Sequence, residues 1–108
     1  MLAKVKVQER TLRLEADGGR ERTVTFPAAI VQTLGFADVI VVRLEPDPYL
    51  VQDRNVFGVT VTPSEVWRVD PSLRGCVCVA LAVEAGRLIA SLEDGRQVAL
   101  DPLSGRLF

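Results

Sequence analysis

The sequence predicts an all-β fold, an antiparallel β-sandwich or partly open barrel built from hairpins, with at most one short helix. Three observations predict it. Short apolar runs recur along the whole chain, each closed by a cluster of Gly, Pro or Asp. Asp94-Gly95 separates the runs Leu88–Leu92 and Gln97–Leu100, and that dipeptide favours the left-handed backbone of a two-residue hairpin turn. Helical spacing of apolar residues is confined to Pro27–Leu34.

The first stretch, Lys4–Leu14, reads as extended. Its phase changes, because Val5 and Val7 are apolar at odd positions and Leu12 and Leu14 at even ones. One straight strand cannot bury both pairs, so a bulge near Gln8–Thr11, or a bend from one sheet into another, is expected. Asp17-Gly18-Gly19-Arg20 forms a turn, and Thr23-Val24-Thr25-Phe26 opens the next strand. Pro27–Leu34 is the helix candidate, with proline at its start, Ile30 and Leu34 four apart, and Gly35 placed to cap its end. Val31 and Thr33 are poor helix formers, which leaves an irregular corner as the alternative.

Val39–Leu44 has five apolar residues in six, the pattern of an interior strand, and Glu45-Pro46-Asp47-Pro48 stops it. Asn55–Val61 and Glu65–Val69 form a hairpin around Thr62-Pro63-Ser64, with Trp67 pointing inward beside Val69. Cys76–Val83 puts Val77, Val79, Leu81 and Val83 on one face and Cys76, Cys78, Ala80 and Ala82 on the other, bulky residues toward a core and small ones toward a close neighbour. Glu84-Ala85-Gly86-Arg87 turns into the last hairpin. With Asp94-Gly95 at its tip, Glu93 faces Arg96, Leu92 faces Gln97, Ser91 faces Val98, Ala90 faces Ala99 and Ile89 faces Leu100, so both of its faces are largely apolar and both are expected to be covered. Asp101-Pro102-Leu103-Ser104-Gly105 then reverses the chain again.

The 108 residues suit a single domain, 1–108, able to bury ~65% of its unfolded surface. A net charge of −1 is spread nearly evenly, which suggests neither disorder nor a globally basic surface. Met-Leu-Ala-Lys-Val-Lys-Val lacks the apolar centre of a signal peptide, and no apolar run approaches the ~20 residues that span a bilayer, so a soluble cytoplasmic protein is expected. Two cysteines this close, Cys76 and Cys78, make no disulfide framework.

Asn55 to Pro71 and Arg87 to Pro102 are weak echoes of one unit: strand, turn, strand, Asp-Pro. Asp94-Gly95-Arg96-Gln97-Val98-Ala99-Leu100-Asp101-Pro102-Leu103-Ser104-Gly105 resembles the blade repeat of quinoprotein-like propellers, and Val66-Trp67-Arg68 looks like the tryptophan strand of such a blade. That likeness implies hairpin geometry and no quinone site, since a propeller needs at least about four blades. The whole pattern is also similar to small uncharacterised bacterial β proteins with Asn-Val-Phe-Gly, a Trp strand and an Asp-Gly hairpin. Thr23 to Phe36 resembles the strand, Pro, short helix and Leu-Gly of swapped-hairpin bacterial transcription regulators and antitoxins, which implies a DNA-binding dimer. Ala28, Ala29 and Val31 stand where that family carries charged side chains.

No histidine is present, so the commonest general base and the commonest metal ligand are missing. Phosphate loops and dinucleotide fingerprints are absent too. On a strand, the sulfurs of Cys76 and Cys78 project from one face roughly 7 Å apart, which suits free buried thiols; a four-cysteine metal site across a two-fold dimer is the alternative. Glu93 is accounted for by Arg96 across the hairpin, Asp70 and Asp101 by bonds to their own backbone before proline, and Asp47 by a solvated loop. Catalytic, cofactor-binding and metal-ligating residues are therefore expected to be none. The expected function is a non-enzymatic interaction or structural module whose partner is protein, including a second copy as a homodimer. The alternative is the DNA-binding regulator. It would draw phosphate contacts from Lys4, Lys6, Arg10, Arg13, Arg20 and Arg22, interleaved with Glu9, Glu15, Asp17 and Glu21, which leaves few net contacts and makes tight DNA binding unexpected.

Overall fold

The computed structural model describes residues 2–16, 19, 21–36, 38–49, 51–60 and 65–108. Among them are ten strands: β1 (Leu2–Gln8), β2 (Thr11–Ala16), β3 (Glu21–Thr25), β4 (Ile30–Phe36), β5 (Val39–Leu44), β6 (Val56–Thr60), β7 (Val66–Arg68), β8 (Cys78–Glu84), β9 (Arg87–Leu92) and β10 (Gln97–Leu100). A single 3-10 turn, Pro71–Leu73, links β7 to β8. The strands form three antiparallel sheets, β1-β2-β3, β4-β5-β6-β7 and β10-β9-β8. The fold is all-β, a sandwich of hairpins.

The parity change in the first stretch has a simpler cause than a bulge. Glu9 and Arg10 make a two-residue turn, with Glu9 at φ 53. Gln8 then faces Thr11, Val7 faces Leu12 and Val5 faces Leu14. Odd residues on β1 stand opposite even residues on β2, so the four apolar side chains share one face. The expected turns Asp17-Gly18-Gly19-Arg20 and Thr62-Pro63-Ser64 lie outside the described residues, save Gly19 at φ 78.

The expected helix at Pro27–Leu34 is not formed. Pro27 and Ala28 turn a corner, and the chain from Ile30 runs as β4 with burial alternating at every residue. β-Branched Ile30, Val31 and Thr33 favour that conformation, and strand pairing with β5 supplies the backbone bonds a two-turn helix would have lacked. Val31 is the extra residue of a bulge, since Ile30 pairs with Leu44 but Gln32 with Arg43. The bulge switches which side of the sheet the strand's inward residues serve. Ile30 packs on one core, Leu34 and Phe36 on the other.

Two cores exist because the central sheet is covered on both faces. Val39, Val41 and Val56 pack with Leu81, Leu88, Ala90 and Leu100 of the third sheet, whereas Ile40, Val42, Leu44 and Val59 pack with Leu12 and Leu14 of the first. That is why five of the six residues of β5 are apolar, Arg43 being the exception.

The last hairpin differs from its expected register by one residue. Leu92 donates to the Arg96 carbonyl at 2.8 Å and Gly95 to that of Leu92 at 3.0 Å, so the loop is Glu93-Asp94-Gly95. Val98 then faces Ala90, Ala99 faces Ile89 and Leu100 faces Leu88. The cause lies in the turn: Gly95 is left-handed (φ 92) but Asp94 is not, whereas a two-residue I′ turn needs both. That double left-handed pair occurs instead at Ala85-Gly86, between β8 and β9. The slip moves Val98 and Leu100 onto the face of Leu88, Ala90 and Leu92, so the hairpin has one core face and one outer face of Ile89, Ser91, Gln97 and Ala99. Covering on both sides is not needed.

β8 is also irregular. Cys78 pairs with Leu92 and Ala80 with Ser91, which makes Val79 the extra residue. Cys78 and Leu81 both reach the core, while Val79 and Val83 stay 48% and 40% exposed. The expected all-bulky inward face is therefore broken by the bulge.

Side-chain amides and an indole hold the layers where strand pairing stops. Gln32 Nε2 donates to the Leu81 carbonyl at 2.8 Å and Gln32 Oε1 accepts from Leu81 N–H at 3.0 Å, so this amide stands in for a strand between β4 and β8. Buried Asn55 does the same at the other end: Nδ2 donates to the Leu44 and Cys78 carbonyls at 2.8 and 3.0 Å, and Oδ1 accepts from Cys78 N–H at 2.8 Å. Trp67, half-buried beside Val69, donates its indole N–H to the Pro102 carbonyl at 2.9 Å, and its ring lies against Gly58 and Gly105. The Asp101–Gly105 turn does reverse the chain, with Gly105 N–H on the Asp101 carbonyl at 2.7 Å, and Leu107 bridges back to Leu100.

Candidate interaction surface

The polar residues singled out in the sequence serve mainly the frame. Asp70 Oδ1 accepts from Ser72 N–H at 2.9 Å, as expected before Pro71, and Oδ2 reaches across to Leu107 N–H at 3.0 Å. These bonds hold its carboxyl at about 2, below the ordinary 3.8, the Leu107 bond contributing most. A carboxyl depressed by folding stabilises the fold above its unfolded value and loses that contribution as pH falls through the folded one. Between pH 4 and 2, the difference in urea midpoint between the wild type and Asp70→Asn is accordingly expected to shrink away; a difference unchanged at pH 2 contradicts this linkage.

Asp101 Oδ1 accepts from Leu103 N–H at 2.9 Å and Asp47 Oδ1 from Tyr49 N–H at 2.8 Å, both local turns. Glu93 is not the partner of Arg96. The three-residue loop gives Arg96 Nε to Asp94 Oδ2 at 2.7 Å instead.

Both cysteines are free thiols. Cys78 is 3% exposed in the core, and burial pushes its thiol up. Cys76 precedes β8 rather than lying in it, is half-buried, and takes an N–H from Arg96 Nη2 at 3.1 Å. Equal, slow labelling of the two is thus not expected. Native Cys76 labels first with a water-soluble thiol reagent, and Cys78 stays protected until the protein unfolds; simultaneous labelling contradicts this placement.

Arg54 and Arg68 cross-brace a corner. Arg54 Nε and Nη2 donate to the Val69 carbonyl at 2.9 and 2.6 Å, and Arg68 Nε to the Arg54 carbonyl at 3.0 Å, with Asp53 3.8 Å away. Burial and the neighbouring Arg68 hold the Arg54 guanidinium below its ordinary range. A shallow depression of about 390 Å³ is lined by Glu9, Arg10, Ala28, Ala29, Glu45 and Asp47. Among the described residues, no group of three or more Cys, Asp or Glu is placed to hold a metal ion, and no helix is long and apolar enough to cross a membrane.

The cations that a DNA-binding sheet would use are divided between two faces. Lys4, Lys6 and Arg13 share the outer face of β1 and β2, Arg10 lies in the turn, and Arg22 shares the inner face and donates to the Thr60 carbonyl at 3.3 Å. Arg20 and Asp17 lie outside the described residues.

What distinguishes the first sheet is its edge. β4 and β8 have their outer sides joined to each other through the Gln32 amide and Leu81, and β8 is held further by Asn55 at Cys78; the chain just beyond β7 is engaged by the bond of Asp70 N–H to the Gly105 carbonyl (3.0 Å), and β10 has residues 106–108 against it. Among the described residues, β1 has a partner on one side only, β2. Its core-side Val5 and Val7 face buried Leu14 and Leu12 yet are 38% and 43% exposed, because they overhang the covered area. Its outer side presents Lys4 and Lys6, both exposed. Lys6 faces Arg13, whose guanidinium is taken by Glu21 at 3.3 Å. The sequence showed the alternation of Lys and Val but not that it would lie at an edge, because edge position is decided by strand order.

No curated protein and no solved structure matches the chain. A family model does match, over residues 2–108, and the chain belongs to the family described as a domain of unknown function, DUF7957.

Proposed function

We propose that the protein is a non-enzymatic protein-interaction module of the cytoplasm that takes up an extended segment of a partner along β1. The observation that carries this reading is the one-sided pairing of β1 together with two half-exposed valines on its core side. An unpaired strand offers a row of backbone N–H and C=O groups, and strand addition satisfies them while burying the overhanging apolar side chains. β3 ends the same sheet but is shorter, and its core-side Arg22 is bonded to the Thr60 carbonyl. Free thiols at Cys76 and Cys78 suit a reducing compartment.

A second copy is a poor occupant of this edge. Two-fold antiparallel pairing of Val5 with Val5 sets Lys4 against Lys6, and pairing of Val5 with Val7 sets Lys6 against Lys6. Like charges directly opposite are destabilising. The homodimer expected from the sequence is therefore replaced, in this reading, by a different partner.

The test is capture from cells that express the protein, wild type against Val5→Lys/Val7→Lys, quantified by mass spectrometry. Both positions are partly exposed, so the variant should stay folded with at most a modest drop in urea midpoint, which is measured first. Partners lost selectively from the variant support the reading; an identical set on both proteins overturns it.

A further inference from the structure

We infer that the segment β1 takes up is acidic: a strand that alternates carboxylates with apolar residues and adds antiparallel, its carboxylates opposite Lys4 and Lys6 and its apolar residues opposite Val5 and Val7. This rests on the edge-addition reading above and gives the partner its chemistry. In an antiparallel ladder, residues directly opposite share a face, so the alternation of one strand dictates that of the next. β1 presents Lys4 and Lys6 on the outer face and Val5 and Val7 on the core face over four consecutive residues.

On the outer face the nearest ladder partner of Lys4 is Glu15, but Lys6 faces Arg13. Arg13 is itself engaged by Glu21, and none of the ion pairs among the described residues includes Lys4 or Lys6. Lys4 has a carboxylate across the ladder and Lys6 has none, so the added strand supplies counter-charge from the open side, chiefly to Lys6. A neutral strand would leave the two ammonium groups as they are, and a basic one would repel them, so the same lysines that bar a second copy select among partners. On the core face, residues opposite Val5 and Val7 extend the apolar layer begun by Leu12 and Leu14 past its present rim.

The probes are three labelled heptapeptides in which valine alternates with glutamate, threonine or lysine, titrated against the full chain by fluorescence anisotropy. At ~50 mM salt the glutamate peptide should bind at least about tenfold more tightly than the threonine peptide, and the advantage should shrink at ~500 mM salt as screening sets in. Lys4→Glu/Lys6→Glu, at two exposed positions and with its folding checked by the urea midpoint, should transfer the preference to the lysine peptide. Equal affinity for the glutamate and threonine peptides overturns the acidic partner and leaves edge addition standing. Binding of the glutamate peptide that survives the charge reversal also overturns it. No binding of any peptide up to ~1 mM, weaker than about −4 kcal/mol, overturns edge addition and this inference with it.

Discussion

Asn55→Ala is expected to cost about 4 kcal/mol, at least about a quarter of the stability of an ordinary domain. The side chain is 0% exposed and its three bonds serve two chain segments, the Leu44 carbonyl at the end of β5 and both backbone groups of Cys78 at the start of β8. Truncation leaves two carbonyls and an N–H buried without partners, and the site is too enclosed for several waters to replace them: the adjoining cavity, lined in part by Asn55, Leu73, Cys76 and Cys78, is about 10 Å³. Asn55→Asp should be at least as damaging near neutrality, because a carboxylate accepts from Cys78 N–H but faces two carbonyls it cannot satisfy. Its deficit should lessen as pH falls and the acid gains a proton to donate. Urea unfolding at pH 7 and pH 4.5 reads both; a loss under about 1 kcal/mol for Asn55→Ala would mean that the amide is not the joint between the layers.

Gly58→Ala and Gly105→Ala are each expected to cost roughly 3 kcal/mol. A β-carbon on Gly58 would sit 2.0 Å from Trp67 Cε2, and one on Gly105 2.3 Å from Trp67 Cε3, distances at which the ring must move. Gly105 is also left-handed, at φ 73. Displacing the indole breaks its bond to the Pro102 carbonyl and loosens the C-terminal turn from β7, so indole emission should shift toward the hydrated range together with the urea midpoint. The two causes separate in a double-mutant cycle. With Trp67→Val in place, Gly58→Ala should become nearly neutral, whereas Gly105→Ala should keep the backbone part of its cost, about 1 kcal/mol. Additive losses at Gly58 and Trp67 would show that the contact is not what matters.

Local chemistry was legible where it acts alone. Val39–Leu44 announced an interior strand, Asp70 and Asp101 their turns, and Val66-Trp67-Arg68 its hairpin arm, because each depends on neighbours within a few residues. Pro27–Leu34 failed because a proline start and two apolar residues four apart suit a short helix as well as a bulged strand, and β5 settles the choice from outside the segment. The Asp-Gly register failed by one residue because a three-residue loop can carry the same dipeptide, and the slip is decided by which face the core needs. The roles of Gln32 and Asn55 as joints between layers were not legible, although a polar residue at a buried strand position is the signal that could have found them. The edge of β1 could be seen only once strand order was known.

Backbone chemical-shift mapping of the isotope-labelled protein, titrated with the valine–glutamate heptapeptide, shows directly whether a partner segment adds along β1. Perturbations should concentrate in residues 4–8 of β1, continue weakly into Leu12 and Leu14 across the ladder, and be lost in Val5→Lys/Val7→Lys. Perturbations centred on the Arg54–Arg68 corner or the outer face of β8 to β10, with β1 unmoved, would contradict it.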